Sequence, residues 1–193
     1  MTEAEWLAAT DPSPMLDLLQ GRASGRKLIL FCLYWCPLYG MERANGDPAY
    51  DRAMRFAEFG DNLEELRLAW ADPDGENEPS MPERPLDWAR LVTDPALRAE
   101  LATPAPEHAP RVLRDIFGNP FRPVSLSASW HTSTVVQLAD GIYQERAFDR
   151  LPILADALQD AGCHNEDILD HCRDASATHV RGCWAVDLML GKK

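Results

Sequence analysis

The stretch from Tyr143 to Lys193 carries the clearest helix signals of the chain: YQERAFDRLPILADALQDAGCHNEDILDHCRDASATHVRGCWAVDLMLGKK. Four apolar residues recur there at the i, i+3, i+4 and i+7 spacing of one helix face: Leu151, Leu154, Ala155 and Leu158. Gly162 then follows as a typical helix end. Asn165, with Glu166 and Asp167 behind it, is a typical helix start. The pattern predicts two consecutive helices with a short connection around Gly162.

A third helix is expected at the end of this stretch. We predict that it begins near Thr178 or His179 and ends at Gly191, since glycine readily takes the left-handed conformation that closes a helix. Apolar residues occupy nearly its whole circumference: Val180, Cys183, Trp184, Val186, Leu188, Met189 and Leu190. Such a helix is buried on most sides, so we expect these three helices to form the centre of the core.

The segment RKLILFCLYWC, residues 26–36, is ambiguous because a continuous apolar run suits either a buried strand or a buried helix. We favour a helix, since no second strand candidate exists and a lone strand would leave its backbone groups unpaired. The fold predicted for residues 1–193 is therefore all-α, a single compact domain of about eight to ten short helices. Residues 72–85 are predicted to be an acidic, proline-rich loop or linker within it.

The composition disfavours a nucleic-acid-binding protein and a membrane protein. The chain has 193 residues and a formal net charge of −12, which disfavours binding to nucleic acid or to an anionic membrane. Its longest apolar run, residues 28–36, is far shorter than the roughly 20 residues of a membrane-spanning helix. Five cysteines without a secretion signal favour reduced thiols in the cytoplasm. An acidic surface would suit a protein partner with a basic patch.

Five residues near the carboxyl end are candidate ligands of a zinc site: Cys163, His171, Cys172, His179 and Cys183. If the last helix includes His179 and Cys183, these two stand one turn apart on one face, which suits two zinc ligands. Cys163 with His171 or Cys172 could complete a tetrahedron. The spacings match no zinc finger, however, and free cysteine is among the most buried residue types. We therefore favour a core in which the cysteines act as small apolar side chains.

Two further functional interpretations of the cysteines have less support from the sequence. Cys183 or Cys172 with a nearby histidine could form the nucleophile pair of a thiol enzyme, although no known nucleophile signature surrounds either. Cys32 and Cys36 have three residues between them instead of the two of a redox motif, so core packing is the better interpretation.

The turn from Asn119 to Pro123 is a candidate recognition element. It could present Phe121 and Arg122 to a protein partner, because aromatic residues and arginine dominate binding hot spots. The alternative, which we favour on apolar burial alone, is a structural turn that inserts Phe121 into the core.

Several segments resemble an uncharacterised family of small bacterial proteins, whose members read MTEAEWL at the start and HVRGCWxVDLLLGK at the end. The segments are EAEWLAATDPSPMLDLLQGRASGRKLILF (3–31), LRDIFGNPFRPV (113–124), FDRLPILADALQDAGC (148–163), ILDHCR (168–173) and HVRGCWAVDLMLGK (179–192). The family has a cysteine-rich patch where this chain reads FCLYWCPLYG, residues 31–40. The resemblance implies a bacterial, cytoplasmic protein and assigns no activity.

The function that the sequence favours is a noncatalytic helical module that binds another protein. The alternatives are a zinc-binding protein that uses the C-terminal cysteines and histidines, and a thiol enzyme. No convergent set of catalytic residues is evident, so a role other than that of an enzyme is expected.

Overall fold

A computed structural model of the chain describes residues 1–35, 57, 89–90, 93–94 and 108–192. Over these residues the protein is all-α, with no strand, which confirms the predicted fold class. Eight α-helices lie within the described ranges: α1 Glu3–Ala8, α2 Ser13–Leu19, α3 Gly25–Trp35, α4 Ala109–Phe117, α5 Ser133–Glu145, α6 Leu151–Asp160, α7 Glu166–Arg173 and α8 Trp184–Leu190. None of these helices is long and apolar enough to cross a bilayer.

The chain divides into two compact units. One comprises Met1 and Ala8–Pro110, and the other comprises Thr2–Leu7 and Arg111–Lys193. The single domain predicted for residues 1–193 stays a prediction. The predicted loop at 72–85, like Cys36, lies outside the described residues.

Helix α3 belongs to the first unit and settles the ambiguity of the apolar segment in favour of a helix. The Oγ atom of Ser24 accepts a hydrogen bond of 3.3 Å from the backbone N–H of Lys27, as expected of an N-cap residue. Residues 28–33 are all buried, including Cys32, which confirms the core role expected of that cysteine. A helix that is apolar on every side requires such burial.

The core of the second unit is formed by α5, α6, α7 and α8, and α6 packs against both α5 and α7. The helix start predicted at Asn165 is confirmed, and Thr132 caps α5. Thr132 Oγ1 accepts from the N–H of Val135 (3.3 Å) and Asn165 Oδ1 accepts from the N–H of Ile168 (3.1 Å). After α6, Gly162 has a φ of +83°, as expected of the residue that closes this helix.

The start predicted for the last helix was wrong. Helix α8 begins at Trp184, so His179 and Cys183 do not stand one turn apart on a helix. They flank a tight turn instead, in which the N–H of Cys183 donates to the carbonyl of Val180 (3.0 Å). Gly182 has a φ of +95°, which a right-handed helix does not allow. The predicted end is correct, since Gly191 closes α8.

The N-terminal helix α1 begins with a capping box. The N–H of Thr2 donates to the Glu5 carboxylate (2.6 Å), and the N–H of Glu5 donates to Thr2 Oγ1 (3.3 Å). Trp6 is fully buried in the second unit. Its indole N–H donates to the carbonyl of Gly118 (3.2 Å), and its own carbonyl accepts from Arg114 (2.9 Å). This short helix is therefore held to the residues at the end of α4.

Candidate metal centre

Four side chains of the second unit meet at one point: Asp115, His171, His179 and Cys183. Asp115 is on α4 and His171 on α7, whereas His179 and Cys183 flank the turn before α8. One potential ligand atom from each side chain lies within 4.8 Å of all the others. Four donor atoms from three separate segments therefore converge.

Asp115 is at the centre of the cluster. Its Oδ1 atom lies 2.9 Å from Nδ1 of His179 and 3.3 Å from Nε2 of His171. Its Oδ2 atom accepts a hydrogen bond of 2.8 Å from the backbone N–H of Val180. One oxygen is thus engaged by the turn that carries His179, and the other faces the two imidazoles.

The thiol of Cys183 completes the group. Its Sγ atom lies 3.2 Å from Nε2 of His171, the same nitrogen that faces Asp115. In a Cys–His–Asp catalytic triad the thiol and the carboxylate contact different nitrogens of the imidazole. Here they share one nitrogen, so the arrangement does not favour a triad.

Aromatic rings surround the two imidazoles. The rings of His171 and His179 meet edge to face with centroids 4.9 Å apart. The indole of Trp184 lies 5.0 Å from the His171 ring, and Phe148 stacks on His179 at 6.5 Å. These apolar neighbours limit the orientations that the imidazoles can take.

The cluster is closed to solvent. Asp115 and Cys183 are fully buried, and only 16% of the His171 side chain and 9% of the His179 side chain are exposed. A buried carboxylate requires compensating partners. The two imidazoles and the N–H of Val180 provide them.

Burial and charge set the protonation of the acidic groups. Burial raises the pKa of Asp115, but hydrogen bonds from His171 and His179 outweigh it and bring the pKa below its usual value. Burial and then the negative charge of Asp115 raise the pKa of Cys183 well above its usual range. Burial also raises the pKa of the Cys172 thiol to about 12. Without a metal ion, both thiols are therefore protonated at neutral pH and are poor nucleophiles.

The structure brings together three of the five ligand candidates predicted from the sequence, namely His171, His179 and Cys183. Cys163 and Cys172 are not part of this group; both are buried in the core formed by α5–α8. The expected role of these two cysteines as small apolar side chains agrees with this placement.

Sequence reasoning missed Asp115, which lies on a different helix and 56 residues before His171. One signal was available. Val112, Asp115 and Ile116 share the i, i+3, i+4 face of α4, and all three are buried. A carboxylate on the apolar face of a helix requires a partner, and that requirement points to a site.

The candidate recognition turn lies elsewhere in the second unit. Phe121 is 36% exposed, so the expectation that it inserts into the core was wrong. The adjacent Pro120 and Pro123 and a hydrogen bond from the N–H of Phe121 to Asn119 Oδ1 (3.0 Å) hold the turn at the surface. Arg122 pairs with Glu3 (2.6 Å) and lies 3.6 Å from Asp167. The binding role of Phe121 and Arg122 stays a prediction.

Comparison of the chain with protein-family models, with curated proteins and with solved structures found no match. The resemblance to a bacterial family therefore stays a prediction.

Proposed function

We propose that the protein binds one zinc ion through Asp115, His171, His179 and Cys183, and that the ion has a structural role. The observation that carries the proposal is the convergence of four buried or nearly buried donor atoms within 4.8 Å of one another. The donors come from three segments, so one ion would link α4, α7 and both sides of the turn before α8.

The donor set suits zinc. One carboxylate oxygen, two imidazole nitrogens and one thiolate are typical zinc ligands, whereas magnesium and calcium prefer oxygen alone. Because Oδ2 of Asp115 is hydrogen-bonded to Val180, Asp115 can offer Oδ1 as a single ligand atom. Four donors in total match the tetrahedral coordination of zinc.

The spacing of the donors also fits. Zinc bonds of about 2.0–2.3 Å place the ligand atoms of a tetrahedron roughly 3.3–3.8 Å apart. The distances from Asp115 Oδ1 to His179 and His171 are 2.9 and 3.3 Å, and the distance from His171 to Cys183 is 3.2 Å. Shifts of about half an ångström or less in these pairs, and a contraction of up to about 1 Å in the pairs as far as 4.8 Å apart, would accommodate the ion.

A hydrogen-bond network alone explains the arrangement of these four side chains less well than a metal ion does. Nε2 of His171 faces both Asp115 and Cys183 but carries at most one proton, so it can donate to only one of them at a time. A metal ion would replace the shared proton and satisfy the three side chains together. It would also deprotonate the Cys183 thiol despite the raised pKa, because a coordinated thiol is a thiolate.

A structural role follows from the closed coordination. Catalytic zinc sites keep one position open for water or substrate, whereas four protein ligands fill a tetrahedron. This agrees with the noncatalytic function expected from the sequence; the protein partner stays a prediction. Cys163, Cys172 and Cys183 are free thiols, and we propose that the protein works in the reducing cytoplasm, where thiolate ligands persist.

Metal analysis of two matched cysteine variants tests the proposal. Cys183→Ala and Cys172→Ala each remove one buried thiol, but only Cys183 belongs to the group of four. We expect the wild-type protein and Cys172→Ala to bind one zinc per chain with similar affinity. The zinc affinity of Cys183→Ala should be less than a tenth of the wild-type affinity. Substitution by Co²⁺ should give the absorption of a tetrahedral site with a sulfur ligand. Wild-type protein that takes up no zinc, or equal affinity in the two variants, would contradict the proposal.

A further inference from the structure

The N-terminal helix belongs to the same compact unit as the metal ligands, although more than a hundred residues separate them along the chain. Trp6 makes contacts 108 and 112 residues away, since its carbonyl accepts from Arg114 and its indole N–H donates to the carbonyl of Gly118. Glu3 adds two surface contacts, to Asn119 (2.7 Å) and to Arg122 (2.6 Å). Every one of these partners lies between residues 114 and 122.

Two short paths connect these contacts with the ligands. In the first, Arg114 immediately precedes the ligand Asp115 on α4. In the second, Trp184 immediately follows the ligand Cys183, and its indole packs on Gly118 so closely that a Cβ there would lie 3.1 Å from the ring. The same indole lies 5.0 Å from the ligand His171. The proposed ligands Asp115 and Cys183 are therefore direct neighbours of Arg114 and Trp184, and both of these residues lie next to the binding position of Trp6.

We propose that zinc binding and the docking of α1 are coupled, so that each strengthens the other. The inference rests on the zinc site proposed above. An ion that fixes Asp115 and Cys183 also restricts the adjoining Arg114 and Trp184. Arg114 donates to the carbonyl of Trp6, and Trp184 packs on Gly118, whose carbonyl accepts from the Trp6 indole. Coupling of this kind is reciprocal: the factor by which zinc strengthens the docking of α1 equals the factor by which docked α1 strengthens zinc binding. Loosening α1 can therefore weaken zinc binding by up to that factor.

Helix α1 can dock onto the second unit and detach from it while the rest of that unit stays folded. It has six residues, too few for a helix that is stable on its own in water. Its order depends on the contacts of Trp6 and Glu3 and on its capping box, so it can open without unfolding the core of α5–α8. Zinc-free protein would then expose the indole of Trp6, which is fully buried in the docked state.

The test uses three variants of the full chain. Trp6→Phe removes the indole N–H but keeps an aromatic ring, and Glu3→Ala removes the two surface contacts. Leu7→Ala is the matched control, because Leu7 lies on the same helix and is 51% exposed. Zinc affinity is measured by competition with a chromophoric chelator, and circular dichroism verifies that each variant is folded. We expect the affinity to fall about 5-fold or more in Trp6→Phe, to fall by a smaller factor in Glu3→Ala because its contacts lie at the surface, and to stay unchanged in Leu7→Ala.

Hydrogen exchange of the wild-type protein with and without zinc gives the reciprocal measurement. We expect faster exchange of the amides of α1 after zinc removal, while those of α6 stay protected. Equal zinc affinity in all variants with unchanged exchange of α1 would overturn the coupling and leave the zinc site standing. Unfolding of α6 together with α1 on zinc removal would also overturn it, because docking of α1 would then be no separate step. Wild-type protein that binds no zinc would refute the proposed function itself.

Discussion

Asp115 Oδ1 and His179 Nδ1 lie 2.9 Å apart although the two residues are 64 positions apart in the sequence. This contact, together with the hydrogen bond from the N–H of Val180 to Asp115, holds the turn before α8 against α4. The φ of +95° at Gly182 keeps residues 179 and 180 outside α8. One buried carboxylate thus links α4 to the turn that carries two of the candidate ligands.

Replacement of Asp115 should destabilise the protein strongly. Asp115→Ala leaves the buried N–H of Val180 without its acceptor and removes the partner of two imidazoles, so we expect a loss of about 2–4 kcal/mol. The control is Asp156→Ala, which breaks an ion pair with Arg173 in which the Asp156 side chain is 72% exposed. That change should cost less than about 1 kcal/mol. Urea unfolding in the presence of a chelator measures both, and similar losses would contradict the central role of Asp115.

The turn between His179 and Cys183 should tolerate only glycine at position 182. Gly182 has a φ of +95°, so Gly182→Ala should cost about 1–2 kcal/mol and weaken zinc binding by displacing the two ligands. Gly141→Ala is the matched control in the middle of α5, where an added Cβ meets nothing within 4 Å. It should stabilise the protein by about 0.5–1 kcal/mol. The midpoint temperature of thermal unfolding should therefore fall for Gly182→Ala and rise for Gly141→Ala. Shifts in the same direction would contradict the strain at Gly182.

The loop that leads to His179 should show an acid-dependent contact. Ser176 donates to Asp174 Oδ1 through its hydroxyl (2.6 Å) and its N–H (2.9 Å), and these two hydrogen bonds lower the pKa of Asp174 below the usual 3.8. Because the folded pKa is depressed, the contact contributes fully above the unfolded value of 3.8 and is lost as the pH falls through the folded pKa.

NMR titration of the Asp174 carboxyl carbon measures this shift. We expect a midpoint below 3.8 in the wild-type protein and a higher midpoint in Ser176→Ala, because the stronger of the two hydrogen bonds is then absent. Ser127→Ala, which breaks a hydroxyl contact with Ser129 elsewhere on the surface, should leave the midpoint unchanged. An Asp174 midpoint that does not move in Ser176→Ala would contradict this assignment.

The buried thiols should react slowly in the folded protein. Burial raises the pKa of Cys172 to about 12 and that of Cys183 well above its usual range, so little thiolate is present near neutral pH. We expect iodoacetamide to label both residues at similar low rates in chelator-treated native protein, and rapidly once urea unfolds the chain. One cysteine that reacts much faster than the others in the native state would support a thiol enzyme and contradict our assignment.

Local patterns predicted much of the fold. The Asn165 cap and the closing Gly162 and Gly191 are all where the sequence indicated, because capping depends on a few neighbouring residues. The start of α8 was missed because it depends on a contact between residues that are distant in the sequence. Val180, Cys183 and Trp184 fit one apolar helix face, but Gly182 has a φ of +95° and a buried contact with the distant Asp115 holds the turn.

The candidate site could be predicted only in part. His171, His179 and Cys183 are close in the sequence, and their residue types alone suggested a metal. Cys163 and Cys172 have the same residue type as Cys183, and only the packing of α6 and α7 places them in the core. Asp115 could be found from its position on an apolar helix face, but its partners depend on how α4 packs, which no local pattern encodes.

The indole of Trp184 lies 5.0 Å from the imidazole of His171 and packs on Gly118. A tryptophan so close to a coordinating group is a built-in optical probe. A paramagnetic ion held by His171 would quench the emission of Trp184, and a diamagnetic ion would not. If the proposed site is filled, the change in the summed emission of the six tryptophans would distinguish a paramagnetic from a diamagnetic occupant without an attached label.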